Sequence, residues 1–532
     1  MAYYQSLREY LGALDKAGKL VTIGSPINKD TQIHPLVWLQ YRGLPREQRK
    51  AFLFTNVVDS RGRKYGIPAA LGALGGSPEI TAIAMRCRPE ETFEKMVQAF
   101  MHPIEPTIVK HGPAQDVVFV GDQLLQNGGM DEFPVPIRHP GLDSGPIQSI
   151  CNWVTKDPDT GIRNVGRYRS QVYAQDRLGI HIAGPERHIA MHWEKCRERG
   201  MPLEAAIVVG GPPNLIGVGP IGLPYGMDEY SLAGALAGES VELVKCRTVD
   251  LEVPANADIV IEGELSTEWL ELEGPHGEGI GLLSGTELQP FFTIKCITRR
   301  RDPVWIGSLS YLGEGAGAEI ARAFLYKYLR YDLGLPGVLE VSGSLVVSGN
   351  VIKMKRHTNQ EEVWRALEAC PNSKTVVAVD DDIDIEDDRQ VWWAINTRVE
   401  AHRDIRIIRY TTTDLKPSSF MPEEEMIRIR HRQFEPDVKF PETSRLLINA
   451  TMKWPYPPVS LPRREFMEDA LRIWNQEGLP PLKLKEPWHS YELGHWPREF
   501  AEDAERAVRG EYYKTSEMRA RQRVKVKPRD RG

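Results

Sequence analysis

Two glutamates separated by a predicted bend are the first candidates for chemistry, in the segment LEGPHGEG at 272–279. Glu273 and Glu278 would not share a helix face, but the Gly-Pro and His-Gly pairs between them favour a turn that brings the carboxylates together. Because two close carboxylates cannot both stay ionised cheaply, we expect one to have a raised pKa and to deliver a proton near neutral pH, unless a cation screens the pair. The alternative is a polar β-turn with solvated acids.

A run of polar residues, NVGRYRS at 164–170, is the second candidate. In an extended strand Asn164 and Tyr168 would share one face, and Arg167 and Arg169 the other. A buried arginine there could hold a substrate carboxylate through two parallel hydrogen bonds. A strand of polar surface residues is the alternative interpretation.

The third candidate is a dispersed set of metal donors, Asn164, His188 and Glu229. One nitrogen and two oxygen donors suit Mn²⁺ or Mg²⁺, with phosphate oxygens completing the shell. No spacing rule connects the three residues, so their types alone do not separate them from other triplets in the chain.

Two further segments could suggest a binding site, but their residues argue against that role. The glycine-rich loop at 313–319 has Ala318 where the third glycine of a dinucleotide-binding loop should stand, and it carries acids towards both ends. Asp380–Asp382 follow a predicted strand, and we interpret them as a strand end with helix-capping acids rather than as a metal site.

Composition limits the class of protein. The chain has 532 residues, enough for three or four domains of roughly 100–200 residues each. A net charge of −6 and a pI near 6.2 argue against a general nucleic-acid binder, since such domains usually have a pI above about 9. The six cysteines are dispersed without a Cys-x-x-Cys pair, which is typical of a reduced, cytoplasmic chain.

One uncharged stretch of 23 residues, at 205–227, is nominally long enough to span a bilayer. It contains six glycines and four prolines, and prolines remove the hydrogen-bond donors that a lone membrane helix needs. The pattern therefore predicts a buried strand over Ala205–Val209, then a folded loop, and no membrane segment.

The elements that must position these residues change in character along the chain. Residues 1–115 mix helical patterns with short apolar runs, which indicates an α/β region. From 116 to 310, β-branched runs such as Val117–Val120, divided by Gly and Pro, favour a barrel over a doubly wound sheet. Helix and strand alternate over 311–445, with a strand predicted over 338–347 and a helix over 360–369, which predicts a compact α/β domain with a substantially parallel sheet. A Pro-rich connector, a helix and a basic tail fill 446–532.

Taken together, these segments resemble the UbiD family of prenylated-FMN-dependent decarboxylases. The resemblance covers about 130–455 well and the ends loosely, and its motifs stand in family order: Phe133-Pro134-Val135-Pro136, His139-Pro140, Asp143-Ser144-Gly145-Pro146-Ile147, Asn164 to Arg169, Glu229-Tyr230, Val244-Lys245-Cys246, Leu251-Glu252-Val253-Pro254-Ala255, Ile261-Glu262-Gly263, Glu273 to Glu278 and Ala450-Thr451-Met452-Lys453-Trp454.

The resemblance implies a multidomain α+β and α/β fold. It consists of an N-terminal α/β region, a central split β-barrel that binds the flavin, and a C-terminal α/β domain used for oligomerisation, followed by a helical tail. The implied cofactors are prenylated FMN, a divalent ion such as Mn²⁺, and K⁺. The implied partners are a small carboxylic acid, CO₂, a flavin prenyltransferase as cofactor supplier, and further copies of the chain in a dimer or hexamer.

The resemblance also implies residue roles. Arg169, Glu273 and Glu278 form the catalytic network, and Asn164, His188 and Glu229 bind the divalent ion. Arg169 orients the substrate carboxylate, Glu273 holds Arg169, and a protonated Glu278 replaces CO₂ with a proton. The implied cofactor contacts are Ser149, Tyr168, Arg169, Arg187, His188, Gly219, Ile221 and Lys453.

The implied reaction is reversible, non-oxidative decarboxylation of an aromatic or α,β-unsaturated acid, or of an aryl acid carried as a CoA thioester. The alternatives are carboxylation in the reverse direction, or a partner-dependent subunit of a larger carboxylase complex. A metal-dependent hydrolase using His188 and Glu229 is a third hypothesis, but the sequence lacks the histidine clusters usual in that class.

Overall fold

The computed structural model describes residues 2–278, 281–309, 318–342, 349–370, 373–413 and 421–525. Most of the glycine-rich loop at 313–319, the end of the run at 338–347 predicted to be a strand, and the last residues of the basic tail lie outside these ranges. Within the ranges, no helix combines the length and the apolar character needed to cross a bilayer.

The N-terminal region is an α/β layer, as predicted. Its first helix begins where the Ser6 hydroxyl accepts from the Glu9 amide, and it buries Leu7, Leu11 and Leu14. The elements are α1 (Leu7–Lys16), β1 (Leu20–Ile23), β2 (Ile27–Asn28), α2 (Ile33–Gly43), β3 (Ala51–Phe54), β4 (Val57–Val58), β5 (Ala69–Leu71), α3 (Pro78–Met85), α4 (Thr92–Met101) and β6 (Thr107–Ile108).

The central region is a curled, half-closed barrel, which confirms the prediction of a split barrel over a doubly wound sheet. Its elements are β7 (Val117–Val120), α5 (Asp122–Gln126), β8 (Ile147–Gln148), β9 (Asn152–Lys156), β10 (Arg163–Arg167), β11 (Ser170–Ala174), β12 (Arg177–Gly179), α6 (His188–Glu198), β13 (Leu203–Val209), α7 (Pro213–Val218), α8 (Glu229–Ala237), β14 (Glu242–Lys245), β15 (Glu252–Pro254), β16 (Ile259–Glu273), β17 (His276–Gly277), β18 (Leu283–Ser284), β19 (Glu287–Arg299) and β20 (Trp305–Gly307).

The barrel sheet runs in the order β10-β9-β13-β16-β19-β12-β11-β8, with β7 also paired to β19. Its two longest strands, β16 and β19, pair antiparallel so that Glu273 lies opposite Glu287. The rings of Trp153 and Phe292 meet edge to face at 5.0 Å inside the barrel and fill its core. Strand β20 leaves the barrel and pairs with β5 of the N-terminal sheet, which joins the two regions.

The predicted loop after the strand Ala205–Val209 is wrong in part, because Pro213–Val218 form a short helix. Pro213 stands at its first turn, where the missing amide costs no hydrogen bond. Every residue of the helix is buried, so its sequence has no polar face and therefore no helical period that could reveal it.

The C-terminal domain holds a five-stranded sheet in the order β21-β22-β23-β25-β24, whose inner three strands are parallel and whose outer strands are antiparallel. The structure thus has the predicted parallel pairing in the core of the sheet and adds an antiparallel strand at each edge. The elements are α9 (Ala318–Lys327), β21 (Val338–Ser342), β22 (Gly349–Met354), α10 (Gln360–Ala369), β23 (Thr375–Asp380), α11 (Asp388–Arg398), α12 (Ala401–Asp404), β24 (Ile405–Thr411), α13 (Glu423–Arg430), β25 (Glu442–Ala450), α14 (Arg464–Gln476), α15 (Arg498–Val508) and α16 (Tyr512–Ala520).

The acids at 380–382 do not cap a helix. Arg398 donates to Asp380 at 3.0 Å and to both carboxylate oxygens of Asp382 at 3.0 and 2.6 Å, and the following helix is capped by Asp387 instead. A buried guanidinium thus neutralises this acidic strand end.

Helices α14 and α15 contain no buried residue, and apolar side chains such as Ile473 and Val508 are more than half exposed. Self-association through the C-terminal domain and the dimer or hexamer stay predictions.

Candidate active site

A cavity of about 540 Å³ lies at the break between strands β10 and β11. Two groups of polar side chains line it. The first contains Arg138, Arg169, His181, His276 and Glu278, and the second contains Asn164, Arg167, Arg187, His188 and Glu229.

The segment 164–170 is not one continuous strand, so the sharing of faces expected for an extended segment does not hold beyond Arg167. Strand β10 ends at Arg167 and β11 begins at Ser170, because the Tyr168 carbonyl accepts from the Trp153 indole at 2.9 Å instead of a neighbouring strand. Tyr168 and Arg169 therefore both line the cavity.

The Arg169 guanidinium joins the two glutamates of the first candidate motif. Its Nε lies 2.8 Å from Glu273 Oε1 and its Nη2 lies 2.7 Å from Glu273 Oε2, a two-pronged pairing. Its Nη1 donates to Glu278 Oε1. A third carboxylate, Glu287, lies 3.9 Å from Nη2, and all of these side chains are buried.

The predicted raised pKa is wrong for the protein without substrate. Burial by itself would raise the pKa of Glu278, but the Arg169 charge, with His181 nearby, holds it well below its usual range. Burial likewise opposes ionisation of Glu287, whose pKa the neighbouring His181 and Arg169 lower to about 2. Glu278 is thus an ionised partner of Arg169. The sequence interpretation allowed for a cation that screens the two glutamates, and Arg169 is that cation.

The bend between Glu273 and Glu278 contains β17, which pairs antiparallel with β18; this pair of strands is called the catalytic hairpin. The Ser284 hydroxyl donates to Glu278 Oε1 at 3.0 Å, and its oxygen also lies 3.2 Å from the His276 carbonyl. At its base Ser144 Oγ donates to the Gly274 carbonyl at 2.8 Å. These bonds fix the hairpin so that Glu278 points at Arg169.

A partly buried His–Asp–His cluster beside this hairpin was missed by the sequence interpretation. Asp143 Oδ1 lies 3.1 Å from His139 Nδ1 and 3.4 Å from His276 Nδ1, distances that would suit a metal site. However, Arg138 Nη1 lies 3.2 Å from His276 Nε2, and a guanidinium can only donate, so Nε2 accepts and Nδ1 carries the proton. The arrangement is therefore a hydrogen-bonded support for the hairpin. In the sequence, the signal for this cluster was the close spacing of His139 to Asp143 and of His276 to Glu278.

The three predicted metal donors line the same cavity. Glu229 is the first residue of α8, and its Oε2 accepts from the Val165 amide at 2.9 Å. Burial raises the pKa of Glu229 to about 8. His188 is the first residue of α6, and burial followed by the Arg187 charge lowers its pKa. The Asn164 amide nitrogen is buried without a hydrogen-bond partner among the described residues.

Most of the predicted cofactor contacts also line the cavity, namely Ser149, Tyr168, Arg169, Arg187, His188, Gly219 and Ile221. A Cβ on Gly219 would lie 2.1 Å from Asn152 Oδ1, so only glycine lets the backbone approach so closely here. Lys453 does not line the cavity: its ammonium donates to the carbonyls of Asn449 at 2.5 Å and Thr451 at 2.8 Å.

Comparison with known families decides which family this fold belongs to. Three family models match in order: the N-terminal, the Rift-related and the C-terminal domain of 3-octaprenyl-4-hydroxybenzoate carboxy-lyase, over residues 11–100, 107–312 and 316–450. The chain belongs to the UbiD family. Uncharacterised relatives occur in Archaeoglobus fulgidus, 29% identical over 79% of this chain and 89% of the relative, and in Aquifex aeolicus, 30% identical over 76% and 87%.

Solved UbiD-class structures share the whole architecture. An evolved dimeric form of HmfF from Pelotomaculum thermopropionicum, in complex with prFMN, is 29% identical and superimposes with a TM-score of 0.69 over 85% of this chain and 96% of that one. Vanillic acid decarboxylase of Sedimentibacter hydroxybenzoicus in closed form is 26% identical, with a TM-score of 0.72 over 90% and 100%. The predicted fold class and UbiD membership are thus confirmed.

Proposed function

We propose that this chain is a prenylated-FMN-dependent decarboxylase that releases CO₂ without oxidation from an aromatic or α,β-unsaturated carboxylic acid, free or carried as a CoA thioester. One observation supports this proposal most directly. Arg169, which pairs with Glu273 and Glu278, lines the same cavity as the three candidate metal donors, Asn164, His188 and Glu229. The HmfF relative binds prFMN, and the Sedimentibacter relative decarboxylates vanillic acid.

The residues present fit the cofactor and its ion. Glu229 is a buried carboxylate that accepts from the Val165 amide, and its remaining lone pairs could bind an ion. The Asn164 Nδ2 group has no partner among the described residues and could donate to a phosphate oxygen, while the Asn164 carbonyl oxygen would be the ligand of the ion. Asn164, His188 and Glu229 would hold Mn²⁺ or another divalent ion. Prenylated FMN, when bound, supplies the electron sink for the carbon that loses CO₂.

The chain's own residues then account for binding and proton delivery. Glu273 accepts from Nε and Nη2 of Arg169 and so fixes the plane of the guanidinium. A substrate carboxylate would then bind on the Nη1 side. A substrate carboxylate at Nη1 competes with Glu278 for the Arg169 N–H. It removes the contact that lowers the pKa of Glu278 and adds a second negative charge beside it, so Glu278 takes up a proton. When the bond to CO₂ breaks, its electron pair is left behind with the substrate, and the carbon that carried CO₂ then takes the proton of Glu278 in its place.

The direct test is co-expression with a flavin prenyltransferase, followed by the absorbance and mass of the released cofactor. We expect prenylated FMN, and CO₂ release with hydrogen–deuterium exchange on members of a panel of aryl acids and their CoA esters. A folded protein that carries no prenylated FMN would contradict the proposal. The Sedimentibacter enzyme has been solved with its ShVdcD subunit, so activity that needs an added partner would favour the subunit alternative.

Replacing Glu229 by Gln is expected to weaken Mn²⁺ binding more than the roughly 10- to 100-fold that loss of an outer-shell partner costs. The amide cannot supply the negative charge that a hard cation prefers. Titration of the flavin-loaded protein with Mn²⁺, followed by the loss of the free-ion EPR signal, measures this. Glu239→Gln, at an exposed site just beyond the same helix, should bind as the parent does, and equal affinity of both variants would exclude Glu229 as a ligand.

A further inference from the structure

A segment of the C-terminal domain lies along the strand that leaves the catalytic hairpin. This segment, residues 423–434, is α13 with the turn after it and is called the clasp. The clasp meets four consecutive residues: Glu423 Oε1 accepts from the Gly285 amide at 3.0 Å, His431 Nε2 lies 3.1 Å from the Thr286 carbonyl, and Gln433 donates to Glu287 at 3.3 Å and to the Leu288 carbonyl at 3.4 Å.

The Glu423 carboxylate is fixed from behind. Arg430 Nη1 donates to the same Oε1 atom at 2.7 Å, and the Arg430 side chain is 2% exposed. Because this guanidinium is buried and donates to the carboxylate, it holds the carboxylate in one position. The helix also lies directly on the hairpin backbone, since a Cβ added to Gly285 would be 2.6 Å from Ile427 Cδ1.

The Gly285 amide follows Ser284, the residue that supports the Glu278 carboxylate. Ser284, which precedes it, donates its hydroxyl to Glu278 Oε1 at 3.0 Å. Gln433 reaches the first network by a second path, because Glu287 lies 3.9 Å from Arg169 Nη2. Neither Glu423 nor Gln433 lines the cavity, so both act through residues that do.

We propose that Glu423 is a positioning residue for the reaction: its carboxylate, fixed by Arg430, holds the Gly285 amide and through Ser284 sets the place of the Glu278 carboxyl group. The C-terminal domain thereby takes part in proton delivery as well as in packing. This inference rests on the proposed function for the identity of the reaction. The link between Glu423 and Glu278 rests on the contacts described above.

The test compares Glu423→Ala, Glu423→Gln and Glu424→Ala. Glu424 is the exposed neighbour on the same helix and is the matched control. In Glu423→Ala we expect amide exchange in the hairpin peptide to rise at least about tenfold and kcat to fall about 10- to 100-fold, the cost of a small misplacement, with KM within about twofold. Glu423→Gln keeps an acceptor for Gly285 and should recover most of both effects. Glu424→Ala should match the parent.

Hydrogen–deuterium exchange is measured on the cofactor-free protein, so it reports on the hairpin whatever the activity. Unchanged exchange in a folded Glu423→Ala variant would overturn the inference, as would a rise in KM with kcat unchanged, or an equal effect of Glu424→Ala. If Glu423→Ala does not fold, Glu423→Asp takes its place, because its carboxylate is one methylene shorter and cannot reach Gly285 and Arg430 in the same way: faster Gly285 exchange in that variant supports the inference and parental exchange overturns it. A parent inactive on every acid would instead contradict the proposed function.

Discussion

Replacing Arg169 by Met is expected to abolish decarboxylation and to lower the free energy of unfolding by about 3–5 kcal/mol at neutral pH, as for other buried ion pairs that lose one partner. Arg169 is 9% exposed and contacts Glu273 and Glu278, with Glu287 at 3.9 Å. Methionine fills a similar volume but leaves these carboxylates without their shared cation.

The loss of stability should depend on pH in a defined direction. With Arg169 present, the pKa of Glu278 in the folded state is depressed, so its stabilising effect exists above the unfolded pKa of about 4.3 and is lost as the pH falls. Without Arg169, burial raises the folded pKa above the unfolded value, and stability is then lost as the pH rises.

Urea unfolding at pH 5 and pH 8 measures this, and the deficit of Arg169→Met should be larger at pH 8. The matched control is Arg177→Met, whose guanidinium pairs with Glu271 at 3.1 Å but is 44% exposed; its deficit should be about 1 kcal/mol or less. A deficit of Arg169→Met that is the same at both pH values would show that the carboxylates do not cause it.

Replacing Glu278 by Gln is expected to lower kcat about 10²- to 10⁴-fold, the usual contribution of a positioned general acid. Glutamine keeps the size of the side chain and an oxygen that can accept from Ser284 and Arg169, but it cannot deliver a proton to carbon. The fold should be retained, and substrate binding should change much less than turnover.

CO₂ release and deuterium incorporation into the product measure this effect separately from binding. Glu271→Gln, on the preceding strand and partly exposed, is the control and should retain parental rates. Full turnover with full deuterium exchange in Glu278→Gln would assign the proton to another group.

Local patterns predicted those elements whose own residues decide them. The strand Val117–Val120 and the helix Gln360–Ala369 have the predicted bounds, because each carries its period and its end signals within itself. The helix Pro213–Val218 could not be recognised in this way, since burial on all sides removes the period. The Tyr168–Arg169 break likewise depends on an indole donor at Trp153.

The candidate site divides along the same line. Residue types and motif order were sufficient to name Arg169, Glu273, Glu278, Asn164, His188 and Glu229, and the structure brings all of them except the buried Glu273 to the wall of one cavity. The hydrogen-bonded support by Arg138 and Asp143 was not named, because its partners lie on separate segments that only the fold brings together.

The sequence by itself determined which side chains are available for chemistry and that a bend lies between the two glutamates. The charge of Glu278 was decided only by the tertiary structure. Arg169 is 109 residues away along the chain, yet its guanidinium touches this carboxylate. Because electrostatic interaction depends on distance in space and on burial, a pattern in the sequence can nominate an acid but cannot give its protonation state.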